Sequence, residues 1–496
     1  MTNRVLNFLY LVSLSSILLA ETRVYFIKDS LKYCICEEDS LATIMAVGDS
    51  VRLPVTEDST LVIPASVNVE GHTYEVEAIE GDAFCGHPEI KHLVINEGIR
   101  YIQEKAFCRC VNLHSIRLPS SLCVLSATSF AFCSRLMEIT VDRGNETFDS
   151  RNHCNAVISI VDSTLVLGCR ATQIPGDVTA IGPCAFEGQL YLDSLTVPEG
   201  VKRMEGGALR NCAGLRCLSL PESLEVIGDL VFDGCSSLCE LYIPACVREI
   251  GHSVLSGCTG LRKITVAPGN RWFDSRECCN AIIRTSEDSI VAGCGQSTII
   301  EGIRRIGDSA FWSTSLSKIY IPRSVMHIAE RAFINSRFCS SIEVAWGNPV
   351  YDSRGDCNAI IETATGTLVK GCCMTTFPFG VSRIGGHAFQ GMPMPDGLIV
   401  PEGIVSIGTA AFANCDMHAL TLPTSLRRIE DSAFAFCPRL EIVETDSPEL
   451  YIGRAAFHFC YSLLSVRLPR YTTYANSEVF QYTPYQKIHE WEDGKP

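Results

Sequence analysis

Apolar residues recur along this chain in a fixed register. A phenylalanine, or a leucine in its place, returns at intervals of 22 or 23 residues, and three further intervals are 56 residues long. Such self-similarity at a fixed period is the signature of a repeat architecture. We call these positions the markers, and they fall at 84, 107, 130, 186, 209, 232, 255, 311, 333, 389, 412, 434, 457 and 480.

One short unit, residues 221–244, indicates how each repeat folds. Leu241 and Ile243 alternate with Tyr242, which is the periodicity of a strand with one buried face, and a proline ends the strand. Gly228 precedes the marker by four residues, where a tight corner or a positive φ angle would suit glycine. A unit of this size cannot bury its apolar face alone. We therefore expect the units to stack into a β-rich solenoid with a parallel sheet.

The three long intervals hold related insertions of about 33 residues. They begin FDSRNHCNAVISI at 148, FDSRECCNAIIRT at 273 and YDSRGDCNAIIET at 351, and each runs to a Gly-Cys pair. Turn-like residues lie midway, so each insertion is predicted to be a β-hairpin. Two interpretations stay open for the cysteines near the hairpin ends, a disulfide or a packed pair of free thiols. The pairs are Cys154 with Cys169, Cys279 with Cys294, and Cys357 with Cys372.

The chain contains 26 cysteines, and eight of them follow a marker by three residues. Stacked coils would place these eight in a ladder that points inward, a site that suits a small, weakly polar thiol. We expect this ladder to be reduced, because its side chains would point alike rather than toward one another. Its members are Cys110, Cys133, Cys212, Cys235, Cys258, Cys415, Cys437 and Cys460.

The two ends of the chain lack the marker. Residues 1–20 carry a basic residue, an apolar stretch and a small final residue, which is the layout of a secretory signal peptide. Residues 21–76 are predicted to form an N-terminal β cap, residues 77–480 the solenoid, and residues 481–496 a short mobile C-terminal tail. No later stretch approaches the ~20 apolar residues that span a bilayer. We expect a secreted or cell-surface protein.

The repeat unit resembles the treponemal type of leucine-rich repeat found in the Bacteroides surface protein A-like (BspA-like) family. Clear copies are IGPCAF at 181, IGGHAF at 384 and IEDSAFAFC at 429, and the insertion YDSRGDCNAIIETATGTLVKGC looks like that family too. The resemblance covers roughly residues 21–480. It implies a curved leucine-rich-repeat solenoid, exported and often surface-displayed, in a family associated with adhesion to host proteins and other cells. It brings no catalytic motif.

Charge and motifs narrow the chemistry. The formal net charge of −15 argues against a nucleic acid as the main partner. The chain has no phosphate-binding loop, no H-E-x-x-H and no nucleophile elbow. The nearest approach to a metal site is Cys108-x-Cys110 followed by His114, but the repeat already explains Cys110. We therefore expect no cofactor, no metal and no catalytic residue. One glycosylation sequon begins at Asn145.

Binding must then come from the solenoid surface. One outward residue lies between the two buried residues of each predicted strand and should line the concave face. The middle of this series is rich in hydroxyl groups and includes two tyrosines, which suit recognition, although small hydroxyl residues also simply suit an exposed strand. The candidate residues are Thr140, Thr196, Ser219, Tyr242, Thr265 and Tyr320.

The sequence thus predicts an exported, non-enzymatic protein that binds an extracellular protein or cell-surface ligand. Two alternatives stay open. One is a thiol oxidoreductase that uses the Cys372-Cys373 doublet or a hairpin pair, which would require an exposed thiol with a lowered pKa. The other is a structural spacer in a surface layer.

Overall fold

The computed structural model describes residues 23–36, 39–46, 48 and 52–488. The fold is a β-solenoid of about 17 coils of about 23 residues, mostly parallel sheet with almost no helix, as the repeat predicts. The chain divides into two compact units, residues 1–215 and 216–496. The predicted signal peptide, residues 1–20, lies outside the described residues.

Each coil contributes a long strand and a short strand, joined by turns. The long strand Glu240–Ile243 buries its second and fourth residues and exposes the other two. A proline turn leads to the short strand Glu249–Ile250, and a turn-rich segment with the marker Leu255 leads to the next long strand, Lys263–Val266. The two long strands are parallel and in register. One coil therefore returns the chain one strand further along the sheet.

The strands of the first unit follow this plan. Its long strands are Thr60–Ile63, His92–Ile95, Ser115–Leu118, Glu138–Val141 and Ser194–Thr196. Its short strands are the end of His72–Ile79 and then Tyr101–Ile102, Val124–Leu125, Ala180–Ile181 and Arg203–Met204.

The second unit repeats the plan. Its long strands are Cys217–Ser219, Glu240–Ile243, Lys263–Val266, Lys318–Ile321, Ser341–Val344, Gly397–Ile399, Ala419–Leu422, Ile442–Thr445 and Ser465–Arg467. Its short strands are Val226–Ile227, Glu249–Ile250, Arg305–Ile306, His327–Ile328, Arg383–Ile384, Ser406–Ile407, Arg428–Ile429, Leu450–Ile452 and Thr472–Tyr474.

The three insertions form the predicted hairpins. In each, the last strand pairs in parallel with the next short strand, for example Leu165 opposite Ile181, so the hairpin occupies a coil position. A 3-10 turn follows the first strand of each: Arg151–His153, Arg276–Cys278 and Arg354–Asp356. The strands are Phe148–Asp149, Ala156–Ser159 and Thr164–Gly168, then Phe273–Asp274, Ala281–Arg284 and Ser289–Gly293, then Tyr351–Asp352, Ala359–Glu362 and Thr367–Gly371.

The predicted N-terminal β cap has an antiparallel part. It consists of the antiparallel strands Arg23–Lys28, Leu31–Cys36 and Leu41–Met45, and of Ser66–Val69, which pairs with the following strand. The long strand Thr60–Ile63 already pairs in parallel with His92–Ile95. This pairing begins before the first marker, Phe84, and the predicted boundary between cap and solenoid at residue 77 stays a prediction.

The end of the solenoid is covered by residues 481–488. A 3-10 turn, Ser477–Phe480, leads to the short helix Pro484–Ile488. Tyr485 packs against Phe480, with ring centroids 5.1 Å apart, and Thr483 is buried. This part of the predicted mobile tail instead packs on the last coil.

The markers stack into continuous columns of buried rings. In the first unit the ring centroids of Phe84, Phe107 and Phe130 are 5.0 and 5.1 Å apart and nearly parallel. In the second unit Phe389, Phe412, Phe434, Phe457 and Phe480 continue at 4.9 to 5.3 Å. The backbone also links neighbouring turns, since the amide of Phe412 donates to the carbonyl of Ala433. The marker thus combines apolar burial with a cross-coil hydrogen bond.

The glycines that precede the markers act by size and not by a positive φ. Gly182, Gly307 and Gly453 all have ordinary backbone angles. A Cβ at Gly182 would lie 2.9 Å from the Leu165 carbonyl oxygen, and one at Gly453 would lie 2.6 Å from the Asp431 nitrogen. At these glycines the neighbouring coil leaves no room for a Cβ, whereas other coils carry a side chain at the same position, such as Gln103 and Glu430.

Candidate binding surface

In the first unit, the predicted binding residues lie on long strands but differ in exposure. Thr196 is exposed on Ser194–Thr196. Thr140 is only half-buried, and its hydroxyl donates to the Ile116 carbonyl at 3.3 Å. A ligand approaching this unit would therefore meet Thr196 directly, whereas the Thr140 hydroxyl already has a partner.

In the second unit, the tyrosines are the prominent outward residues. Tyr242 and Tyr320 are 44% and 49% exposed, Ser219 is exposed, and Thr265 is half-buried opposite Tyr242. The Tyr242 hydroxyl lies 3.4 Å from a Glu222 carboxylate oxygen. Partial burial and this carboxylate raise the pKa of Tyr242. Tyr242 is therefore a neutral hydrogen-bonding aromatic, and both rings project from long strands.

A third exposed aromatic, Trp346, was missed in the sequence. It is 88% exposed and follows the long strand Ser341–Val344. The Arg323 guanidinium lies 5.8 Å from its ring and donates to its carbonyl at 2.7 Å. Each of the three insertion units has an asparagine at the same place, and Trp346 lies two residues before the one in its unit. The other two units have Arg143 and Pro268 at that position, so a comparison of the units would have identified the tryptophan.

A shallow basic depression of about 400 Å³ lies in the first unit. Arg135 and Arg170 line it, and neither forms an ion pair with a residue that the structure describes. The two matching positions hold Gly260 and Gly295 in the second insertion unit, and Phe338 and Cys373 in the third. The repeat does not require these arginines. The remaining lining residues are His114, Met137 and Tyr191.

The cysteine ladder is buried, and its thiols have a defined partner. Cys110 donates to the carbonyl of Phe84 at 3.1 Å, and Cys258 to that of Phe232 at 3.0 Å. Burial raises the pKa of Cys258 well above its ordinary value. Cysteine suits the position because it fills a small apolar site and satisfies the marker carbonyl. The same bond recurs at 3.1 to 3.2 Å from Cys133, Cys212, Cys415, Cys437 and Cys460.

The hairpin cysteines bond to separate carbonyls in every copy. In the first, Cys154 donates to Ala156 at 3.8 Å, and Cys169 donates across the hairpin to Asn155 at 3.4 Å. Cys279 with Cys294 and Cys357 with Cys372 repeat this arrangement. All six are free thiols in the structure, and their pairing stays a prediction.

A motif that sequence reasoning missed fixes the end of each hairpin. A hydroxyl residue follows the second cysteine by three positions, at Thr172, Ser297 and Thr375. The Thr172 hydroxyl accepts from the Cys169 amide at 2.7 Å and donates to the Asn155 carbonyl at 2.6 Å. Gly168, which directly precedes Cys169, has no room for a side chain, because a Cβ there would overlap the Phe186 ring.

The asparagine of the glycosylation sequon is a structural residue. Asn145 is buried, and its side-chain amide donates to the carbonyls of Pro119 and Leu122 at 3.0 and 2.9 Å. Asn270 and Asn348 make the same pair of bonds without belonging to a sequon. The Asn145 nitrogen is therefore occupied in the folded chain and is not available for glycosylation.

The described part of the chain has neither a metal-binding cluster nor a membrane-spanning helix. It contains no cluster of three or more His, Cys, Asp or Glu side chains that would hold a metal ion. Within the same residues, no helix combines the length and the apolar character of a membrane span.

Comparison with known proteins matches this repeat. The family model described as BspA type leucine rich repeat region matches six times, over residues 67–165, 168–276, 288–346 and 371–490. No relative was found among curated proteins.

Three solved structures align with most of this chain at low sequence identity. A leucine rich cell surface protein from Faecalibacterium prausnitzii A2-165 is 21% identical, with a TM-score of 0.40 over 86% of this chain and 96% of its own. A leucine-rich repeat protein from Bacteroides ovatus ATCC 8483 is 20% identical, with a TM-score of 0.34 over 92% and 96%. The pneumococcal vaccine antigen PcpA is 16% identical, with a TM-score of 0.28 over 92% and 89%.

Proposed function

We propose, from the premise that this chain belongs to the BspA-type leucine-rich repeat family, that it is an exported, non-enzymatic binding protein. Its ligand is an extracellular protein or a cell-surface molecule, held against the long strands of the solenoid. The N-terminal sequence supports export, because residues 1–20 have the layout of a secretory signal peptide.

The observation that carries the proposal is the exposure of Tyr242 and Tyr320 at the centres of long strands. The fold does not need aromatic rings there, since Thr196 and Ser219 occupy matching positions. A tyrosine offers both apolar area and a hydroxyl, and a strand holds it in place before the ligand arrives. Little conformational entropy is then lost on binding, which favours affinity.

The basic depression of the first unit supports an acidic group on the ligand. Arg135 and Arg170 are exposed, and neither guanidinium is neutralised by a described carboxylate. Guanidinium groups bind carboxylate and sulfate oxygens through paired hydrogen bonds. Met137 and Tyr191 add apolar surface beside them. Carboxylated or sulfated glycans and acidic protein segments share this chemistry.

The test is binding of the mature full-length chain to arrays of extracellular-matrix proteins and of glycans. We expect saturable binding that falls about tenfold or more when Tyr242 and Tyr320 are both replaced by alanine, because buried aromatic anchors dominate interface energy. Tyr471→Ala is the matched control, since this tyrosine is 67% exposed and lies between strands. The double variant Arg135→Ala, Arg170→Ala tests the depression separately.

Two results would contradict the proposal. One is the absence of saturable binding by a chain whose circular dichroism confirms the β fold. The other is unchanged affinity in both double variants, which would move the binding surface elsewhere.

A further inference from the structure

A row of basic residues crosses the first unit, on the side where the turns lead into the long strands. Lys91, Arg135 and Arg170 are all exposed, and none of them forms an ion pair with a residue that the structure describes. We call these three residues the basic edge. In a chain with a formal net charge of −15, they make a local exception to the field of the whole protein.

The backbone fixes how the basic edge is spread over the coils. The His114 amide donates to the Lys91 carbonyl at 2.6 Å, and the Met137 amide donates to the His114 carbonyl at 2.9 Å. These three residues therefore occupy matching positions on neighbouring coils, which lie about 4.8 Å apart. Arg135 precedes Met137 by two residues, and Arg170 lies in the turn after the first hairpin. The positive groups are thus distributed from coil to coil.

The second insertion unit closes the place that the first unit leaves open. Gly295 stands there at the position of Arg170, and a Cβ on it would lie 2.5 Å from the Ser315 hydroxyl oxygen. That hydroxyl donates across to the Thr259 carbonyl at 2.7 Å. The first unit instead has an open depression of about 400 Å³ beside Arg170. Since ligand pockets are typically about 300–1,000 Å³, the depression has room for a ring-sized group.

An aromatic ring lies beside the positive groups. Tyr191, from the coil after the hairpin, is 54% exposed and lines the depression together with Met137. Guanidinium and ammonium groups bind carboxylate and sulfate oxygens. The apolar face of an aromatic ring packs against the C–H face of a sugar, and its hydroxyl bonds to sugar oxygens. An acidic sugar combines both kinds of group in one residue.

Two other polyanions fit the basic edge less well. An acidic peptide commonly binds by adding a strand to a free sheet edge. Here the strand Ser115–Leu118 already pairs on both sides, with His92–Ile95 and with Glu138–Val141. A nucleic acid carries a dense row of phosphates, which the net negative charge of the chain repels.

We propose that the basic edge binds a linear acidic polysaccharide. Carboxylate or sulfate groups of successive sugars lie against Lys91, Arg135 and Arg170, and one sugar ring packs on Tyr191. A repeating ligand suits a surface whose charges are distributed from coil to coil. The inference rests on the proposed function, because it names the ligand class of an exported binding protein.

The test is binding of the full-length chain to four immobilised probes over a series of NaCl concentrations. Heparin carries sulfate and carboxylate groups, desulfated heparin and hyaluronan carry carboxylate alone, and dextran is neutral. We expect saturable binding to at least one acidic probe and none to dextran. The logarithm of the affinity should fall linearly with the logarithm of the salt concentration, because binding releases counterions. The ranking of heparin against desulfated heparin identifies the oxyanion that is bound.

Variants of the basic edge separate charge from ring packing. Replacing both Arg135 and Arg170 by alanine should weaken binding about tenfold or more and reduce the salt slope by about two. Lys91→Ala should reduce the slope by about one. Tyr191→Ala should weaken binding without changing the slope, because it removes no charge.

The matched control replaces Arg262 and Arg337 by alanine. Both arginines are exposed, and neither forms an ion pair within the described residues, so the net charge changes by the same amount elsewhere on the chain. We expect this double variant to bind like the wild type.

Three results would overturn the inference. They are the absence of binding to every acidic polysaccharide, an equal loss of affinity in the control double variant, and binding to polyglutamate or single-stranded DNA that is as tight as binding to the polysaccharides. If these probes fail while another ligand binds, this inference falls and the proposed function stands. If heparin binds equally well after Tyr242 and Tyr320 are replaced, the anchor role of those tyrosines falls and this inference stands.

Discussion

Replacement of Lys370 by leucine is expected to stabilise the protein, which is unusual for a change at a core position. The lysine is buried without a hydrogen-bond partner, and the first insertion accommodates a leucine at the same place, Leu167. Leucine removes a charge that the interior solvates poorly and adds apolar contact. The change therefore tests whether the buried ammonium group destabilises the folded state.

The magnitude follows from the pKa of Lys370, which burial lowers from 10.5 to about 8. Each pKa unit corresponds to about 1.4 kcal/mol, so at pH 7 the lysine costs about 3 kcal/mol of stability. The unfolded chain binds the lysine proton more tightly, so the contribution of Lys370 to wild-type stability rises with pH between about 8 and 10.5, whereas the buried cysteines, whose pKa values are raised, lower the stability of both proteins over the same window. In the leucine variant this rise is absent.

The assay is urea unfolding of the reduced full-length chain between pH 7 and 10.5, followed by tryptophan fluorescence. Trp272, Trp312 and Trp346 all lie in the second unit and report on the region around Lys370. Lys318→Leu is the matched control, because Lys318 is exposed on a long strand. A Lys370→Leu variant no more stable than the wild type at pH 7 would refute the reasoning. The reasoning would also be refuted if the difference in unfolding free energy between the variant and the wild type did not narrow as the pH rises.

Three further changes test the packing of the repeat. Phe412→Ala opens a cavity in the ring column and should cost about 3–5 kcal/mol in urea unfolding, whereas Phe379→Ala, at a fully exposed ring, should change little. Gly371→Ala would push a Cβ into the Phe389 ring and should cost about 1–3 kcal/mol, with Gly397→Ala, in open space, as the neutral control. When the chain is expressed in a eukaryotic secretory pathway, a glycan added at Asn145 before folding would displace the two hydrogen bonds of its side-chain nitrogen, so intact mass should show no glycan there on folded, secreted chain; a glycan on folded protein would contradict that assignment.

The repeat register made the fold predictable, because burial follows the period of the apolar residues. The marker column and the hairpins follow from spacing alone, and both are present. Contacts between coils were not predictable in the same way, since a period does not say how closely two backbones approach. The corner glycines illustrate this limit: the sequence left a tight corner and a positive φ both open for them, and the structure shows at Gly182 an ordinary φ and a Leu165 carbonyl that excludes a side chain.

The candidate site was less predictable than the fold. The outward strand position identified Tyr242 and Tyr320, but Trp346 follows its strand, and the basic depression involves residues from turns. The periodicity gave no reason to examine those positions. What could have found them is a comparison of the insertions with one another, since Arg170 stands where the other copies have Gly295 and Cys373.

That comparison is the stronger guide to function in a solenoid, because each structural requirement is repeated along the chain. Residues that recur, such as the marker phenylalanines and Asn145 with its copies, have an explanation in packing or backbone hydrogen bonding. A residue that departs from its copies is not explained by the repeat itself. Lys370 departs at a cost in stability while the hairpin remains unchanged. An expensive departure that the fold does not need indicates that Lys370 has a role other than packing.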